Sequence, residues 1–412
     1  MIDGRVWYRV CCLRVRSFYK SRYCRYFFMF LSKKTQLVAI DIGSSSIKLV
    51  QLSELKGGEF ELTHFGMMPL AEECIIEGAI KKPDQVAEAL AKLITAEKIQ
   101  GRYVVSAVAG EAVFIKKIKV PVMSEEELSE KITQEAEQYI PFDIDDVALD
   151  FQLLGAVKGK NVEESDNSKG NEFEEESQSD DSQEDHSSEE TDGEMMEVLL
   201  VAVQRAVIDE RTDILIEAGL KPAIIDLNVF ALMNAAQLTN DLTSAGNTAL
   251  IDLGDSFTHI NIIQDGKMGY SRDIPIGGGY CTKMLMSKFK VPFKQIIEIK
   301  RGNFPSDIKE EEVISIITQA YKRVLEEIQK SFEYFGTLSG NKVGKVLLCG
   351  GGSMIQGIDG YFSDYLKVPV ENFNPMKGVK INPKNFDQSM IDEMGGLSTV
   401  ALGLATRRFD HK

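Results

Sequence analysis

Two stretches of this chain place an aspartate, one residue and a glycine directly after an apolar run: Asp41-Ile42-Gly43 and, about 210 residues on, Asp252-Leu253-Gly254. A third apolar run ends in Gly350-Gly351-Gly352-Ser353. Glycine lets the backbone adopt conformations barred to other residues and bring its N–H groups close to a phosphate. Gly43 and Gly254 suit that use. An aspartate at the same place repels phosphate unless a divalent cation lies between them and reverses the local sign. Asp41 and Asp252 therefore read as outer ligands of Mg²⁺, held through its waters. Ser44, Ser45, Ser46, Ser256 and Thr258 supply neutral donors for phosphate oxygens, and Lys48 supplies a positive charge. Neither turn is a P-loop, because G-x-x-x-x-G-K-[ST] is absent. Taken singly, each turn is equally well an ordinary Asx-type turn. Three strand-then-glycine elements in this order, at domain-sized separations, point to a two-lobed clamp around a nucleotide.

The elements that must carry these turns are legible at coarse grain. Periodicity predicts strands over 38–42, 47–52 and 60–67, an amphipathic helix over 83–97 and a strand over 103–109. That βββαβ order is the start of an actin-like or ribonuclease-H-like half. It recurs as strands over 248–252, 257–264 and 267–274, a helix after Gly277-Gly278-Gly279, a long helix over 313–335 and a strand over 345–349. No residue-level repeat links the halves, so the duplication rests on the order of elements. Between them, Ser124-Glu125-Glu126-Glu127 opens a helix as a capping box. That helix stops before Pro141. Strands over 147–154 and 198–204 and a helix over 207–218, closed by Gly219, complete an additional module.

Charge and composition exclude several classes. The chain has 412 residues, 43% of them hydrophobic, enough for two or three domains with real cores. Of the formal charge of −16, residues 161–194 carry −14 and residues 1–28 carry +6, which leaves −8 on the other 350. No basic stripe supports nucleic-acid binding. The acidic tract cannot bury enough apolar surface to offset the cost of ordering, and a disordered loop over 158–195 is expected. A regulatory or calcium-buffering role for that tract is the alternative to a plain solvated insertion. Six cysteines without C-x-x-C and four scattered histidines give no metal cluster or catalytic triad, and His259 reads as a packing residue. No apolar run reaches the roughly 18–20 residues of a membrane span, so a cytoplasmic chain is expected. Residues 1–34 read as an extension outside the fold, either upstream of a true start at Met29 or a basic-aromatic arm for a membrane surface.

Several longer stretches carry a family resemblance. Ile40-Asp41-Ile42-Gly43-Ser44-Ser45-Ser46-Ile47-Lys48-Leu49-Val50, Glu135-Ala136-Glu137-Gln138-Tyr139-Ile140-Pro141-Phe142 with Asp150, Ala218-Gly219-Leu220-Lys221-Pro222 with Asp226, Ile251-Asp252-Leu253-Gly254 and Gly350-Gly351-Gly352-Ser353 together resemble the PilM family of type IV pilus assembly proteins. These are actin-like ATPases related to FtsA. The resemblance runs from about residue 34 to 408. It implies a first lobe over 35–245, with subdomain 1A interrupted by subdomain 1C at about 121–220. It also implies a second lobe over 246–412, made of subdomains 2A and 2B, whose last helix returns to the first lobe. ATP with Mg²⁺ would lie between the lobes, and Gly350, Gly351, Gly352 and Ser353 would join the contacts. The cytoplasmic N-terminal peptide of a PilN-type inner-membrane protein would bind between 1A and 1C. That would hold the chain, with other pilus platform proteins, at the inner face of the inner membrane.

Actin-like relatives often reach the ribose with an Ala-Glu pair, where this chain reads Ile296-Ile297-Glu298-Ile299-Lys300; Glu298 and Lys300 are the candidates. No side chain stands out for orienting an attacking water, and for Glu135 and Glu137 surface charge on a helix is an equal explanation. The expected role is a nucleotide-dependent scaffold with slow or incidental hydrolysis. An FtsA-like filament former would need a C-terminal amphipathic helix, and a small-molecule kinase would need an acidic base beside a polar pocket. Neither signal is present in the sequence.

Overall fold

The computed structural model describes residues 37–156, 195–239 and 246–408. Both the N-terminal extension and nearly all of the acidic tract lie outside the described residues.

The first lobe is built on a sheet of β1 (Val38–Ile42), β2 (Ser46–Glu54) and β3 (Phe60–Pro69), a small hairpin of β4 (Ile75–Ile76) and β5 (Ala79–Ile80), helix α1 (Pro83–Ala96) and strand β6 (Tyr103–Val108). Strand β7 (Val113–Pro121), helix α2 (Glu125–Glu137), β8 (Val147–Ala156) and β9 (Met195–Gln204) follow. Helix α3 (Arg205–Glu217), β10 (Lys221–Leu227) and helix α4 (Asn228–Leu238) complete the lobe. The second lobe contains β11 (Thr248–Leu253), β12 (Thr258–Gln264), β13 (Lys267–Ile274), α5 (Gly278–Phe289), α6 (Phe293–Lys300), α7 (Glu310–Ser339), β14 (Lys345–Cys349), α8 (Ile358–Leu366) and β15 (Val370–Asn372). The chain closes with α9 (Gln388–Met394) and α10 (Thr399–Ala405).

The two main sheets repeat one topology. Their orders are β10-β6-β1-β2-β3 and β13-β12-β11-β14-β15, so each centres on a strand flanked by an antiparallel hairpin on one side and parallel strands on the other. The central strands β1 and β11 are the two that end in Asp-x-Gly. They are hydrophobic almost throughout, as strands covered on both faces must be.

The boundaries of the inserted module differ from the sequence reading. Its sheet, β7-β9-β8, begins at Val113 rather than near 121. Three lysines, Lys116, Lys117 and Lys119, break the apolar alternation that would have revealed β7. Helix α3, read as part of the module, instead places Ile208, Ile214 and Leu215 in the first lobe's core. The module has its own core of Leu128, Ile132, Ala136, Val198 and Leu200 with neighbours. The capping box of α2 is present, with the Glu127 N–H donating to Ser124 Oγ at 3.2 Å and the Ser124 N–H to Glu127 Oε2 at 3.0 Å.

Helix α10 returns to the first lobe, and all seven of its residues are buried. It crosses α4 so closely that a Cβ on Gly403 would lie 1.7 Å from the Ala231 carbonyl oxygen. Past its end, Arg407 forms a bidentate ion pair with the fully buried Asp226 at the end of β10, at 2.5 and 2.9 Å. Helix α4 also meets the second lobe, since Asn261 Nδ2 on β12 donates to the Val229 carbonyl at 3.0 Å.

Candidate functional site

Each Asp-x-Gly turn is shaped by the hairpin that follows it. In the first, the Gly43 N–H donates to the Ser46 carbonyl at 3.1 Å, and the register sets Asp41 opposite Lys48. The Lys48 ammonium lies 3.3 Å from Asp41 Oδ2, and a Cβ on Gly43 would come within 2.9 Å of that nitrogen. In the second, Asp252 stands opposite His259. Gly350, with φ +80°, passes so close to Asp252 that a Cβ there would be 2.1 Å from its Oδ1. Glycine at position 350 is therefore required by the carboxylate it faces.

Charged groups of the two turns act on one another. Burial raises the pKa of Asp252, and the neighbouring Asp41 carboxylate raises it further, while His259 and Lys48 oppose both effects. Asp255 is likewise raised by burial and lowered by Lys300, Lys283 and Lys48. Lys48 of the first lobe thus acts electrostatically on both aspartates of the second. Burial alone would push His259 down, but its 2.6 Å contact to Asp273 and the charges of Asp252 and Asp41 lift it to about 9. The imidazole is therefore a cation at neutral pH. Asp273 Oδ2 also accepts the Gly110 N–H of the first lobe at 2.6 Å. Beside that bridge, Phe257 stacks on His259, and Gly78 of the β4-β5 hairpin approaches its ring without a side chain.

Behind the second turn lies the start of α5. The N–H groups of Gly278 and Gly279 donate to the Gly254 and Asp255 carbonyls, both at 2.8 Å. The Lys300 ammonium, from the end of α6, donates to Thr282 Oγ1 at 2.6 Å and the Gly278 carbonyl at 3.2 Å. Burial lowers its pKa, while Cys281 and Asp255 hold it up.

The structure brings together Asp41, Gly43, Lys48, Asp252, Gly254, Lys300 and Gly350, with Ser44, Ser45 and Ser256 on the same two turns. Gly351, Gly352 and Ser353 form a 3₁₀ turn directly after Gly350. Two hydroxyls expected to contact the nucleotide are already engaged. Thr258 is fully buried and donates to the Ile276 carbonyl at 2.8 Å, and Ser353 donates to the Gly350 carbonyl at 2.8 Å. They brace the turns from behind. Ser46 contributes its carbonyl, which closes the first turn, while its side chain is largely buried. Of the ribose candidates, Lys300 faces α5, whereas Glu298 accepts from Asn303 Nδ2 at 2.8 Å. Glu135 and Glu137 ride on α2, outside this cluster.

Three participants escaped sequence reasoning: His259, Asp273 and Asp255. The signal for His259 was available, since the short hairpin after Asp252 fixes which residue stands beside it. Among the described residues no group of three or more His, Cys, Asp or Glu could hold a metal alone. Asp41 and Asp252 are near enough for the charge of one to act on the other, and two such carboxylates fit a divalent cation that takes its remaining ligands from outside the protein.

A duplicated α/β fold with an aspartate-glycine turn at the same end of each central strand defines the actin-like ATPase class. The family model for type IV pilus assembly protein PilM matches residues 39–167 and 183–409. The chain belongs to that family. Among solved structures it is similar to the PilM-PilN type IV pilus biogenesis complex, at 26% identity, TM-score 0.71, covering 90% of this chain and 98% of that one. It is also similar to ethanolamine utilization protein EutJ from Carboxydothermus hydrogenoformans, at 12% identity and TM-score 0.49, covering 90% and 89%. Ethanolamine utilization protein EutJ of Salmonella typhimurium is 24% identical over 136 residues, 33% of this chain. The chain spans 44% of the length of that curated relative.

Proposed function

We propose that this chain is the nucleotide-responsive component of a type IV pilus assembly platform. In this reading ATP with Mg²⁺ binds between the lobes, and a PilN-type inner-membrane protein docks through its cytoplasmic N-terminal peptide, with other platform proteins assembled around it. The observation that carries the nucleotide half is the convergence of the two Asp-x-Gly turns, with Lys48 of one lobe acting on Asp252 and Asp255 of the other. The partner half is supported by family membership and by near-complete coverage of a chain solved as a PilM-PilN complex.

Gly43, Gly254 and Gly350 give backbone access to phosphate oxygens, and Ser44, Ser45 and Ser256 offer hydroxyl donors. Asp41 and Asp252 orient the water shell of the cation, and Lys300 stands at the ribose end. Bound Mg²⁺ neutralises the phosphate charge that the aspartates would otherwise repel. Nucleotide then acts by holding the lobes together, and turnover is slow or incidental. No described helix is long and apolar enough to cross a membrane; placement at the inner face of the inner membrane follows in this reading from the partner.

Calorimetry tests both halves. Mg·ATP should bind the wild-type chain, and Asp41→Ala should weaken it at least about tenfold, a loss of about 1.4 kcal/mol. A PilN-type N-terminal peptide should bind and shift ATP affinity, with ATP shifting peptide affinity by the same factor. Absence of ATP binding with and without peptide would reduce the function to protein-protein assembly.

A further inference from the structure

Helix α3 begins at Arg205, directly after β9 ends at Gln204, and β9 is the central strand of the inserted module's sheet. Two turns into the helix, Arg211 extends its guanidinium to the back of the first Asp-x-Gly turn. Its Nη1 donates to the Ile42 carbonyl at 3.3 Å, and its Nε is buried without a partner among the described residues. Its charge is also coupled to Asp41, on the residue before.

The Ile42 carbonyl and the Gly43 N–H belong to one peptide unit. Arg211 holds its oxygen, and the Ser46 carbonyl, at 3.1 Å, accepts its N–H. Both ends of the peptide that sets the direction of Gly43 are therefore fixed, one by the hairpin and one by a helix leaving the module. Lys48 neutralises Asp41 from the same hairpin, so the turn does not need Arg211 for charge balance alone. A half-buried guanidinium with an unused donor would be expensive in that place unless its geometry served the turn.

We propose that Arg211 is the positioning residue of the first Asp-x-Gly turn, and that through it the inserted module sets how well that turn fits a phosphate. The second clause rests on the nucleotide reading above; the first does not.

The test uses the full chain and the variants Arg211→Met and Arg211→Lys. Without ligand, amide hydrogen exchange at Gly43 should accelerate about tenfold or more in Arg211→Met, while amides of β1 and β6 keep their protection. Arg211→Lys, which retains the charge but replaces the planar guanidinium on the Ile42 carbonyl with a shorter ammonium, should fall between. By calorimetry, Mg·ATP affinity should drop about tenfold in Arg211→Met. The factor by which a PilN-type peptide changes that affinity should shrink towards one, while peptide affinity without nucleotide stays at the wild-type value. Unchanged Gly43 exchange in Arg211→Met overturns the proposal whatever happens to nucleotide. If Arg211→Met does not fold, wild-type exchange and wild-type coupling in Arg211→Lys overturn it instead. If the wild type binds no Mg·ATP, the nucleotide reading fails with the second clause, and exchange alone decides the first.

Discussion

His259 keeps its proton well above neutrality because three carboxylates face it from both lobes: Asp273 in contact, Asp252 opposite on the ladder, and Asp41 across the gap. Its folded pKa of about 9 lies above the ordinary value of 6.5. The stabilisation is therefore complete below about pH 6.5 and is lost as pH rises through about 9. Thermal unfolding followed from pH 6 to 10 should show a falling midpoint in the wild type. The fall should be much flatter in His259→Asn, the difference being on the order of a few kcal/mol. Asp226 makes the opposite kind of site, a buried carboxylate tied only to structure. Asp226→Ala removes the buried carboxylate that Arg407 pairs with and should destabilise the chain by about 3–5 kcal/mol in denaturant titration. At this scale the sequence was informative where chemistry is local. Asp41-x-Gly43 and Asp252-x-Gly254 could be read because aspartate, glycine and apolar strand are neighbours along the chain. Asp273 escaped because only strand pairing brings it to His259. Arg211 escaped because its helix was credited to a different unit.

Elements were legible in proportion to how cleanly their burial alternates. Strands Val38–Ile42, Lys267–Ile274 and Lys345–Cys349 agree with their predicted bounds to the residue, each with a glycine at one end or both. Strand β7 was missed because its lysines face solvent in the module sheet, and α4 was missed as a helix because it is buried on nearly every side. The crossing of α4 and α10 is the tightest helix contact described above. Gly403→Ala would drive a methyl group into the Ala231 carbonyl, and forced separation of the helices should lower stability by about 1–3 kcal/mol. If melting were unchanged, the crossing would have to be looser than this geometry.

Across the whole molecule, the lobes meet on the cleft side through the Asp273 carboxylate on the Gly110 N–H and through Phe257 against Gly78. Asp273→Asn weakens the first contact and also removes the nearest of the three carboxylates that hold His259 charged. It should leave each core intact while loosening the closed arrangement, seen as a larger radius of gyration by small-angle scattering without nucleotide. An unchanged radius would mean that the other inter-lobe contacts, among them α4 on β12 and the Lys380 backbone on Phe60 and Leu62, hold the lobes without it. The duplicated sheet order, invisible in residue identities, was legible only as an order of elements, because the two halves keep topology and the aspartate-glycine turn while their cores have diverged. The return of α10 to the first lobe also bears on how the chain is made. Residues 399–405 fill the core of a lobe whose first strand is translated some 360 residues earlier. At about 5–20 residues per second, the leading half spends tens of seconds outside the ribosome with its floor missing. That places the hazard of misassembly in the nascent chain, for as long as residues 399–405 have yet to emerge.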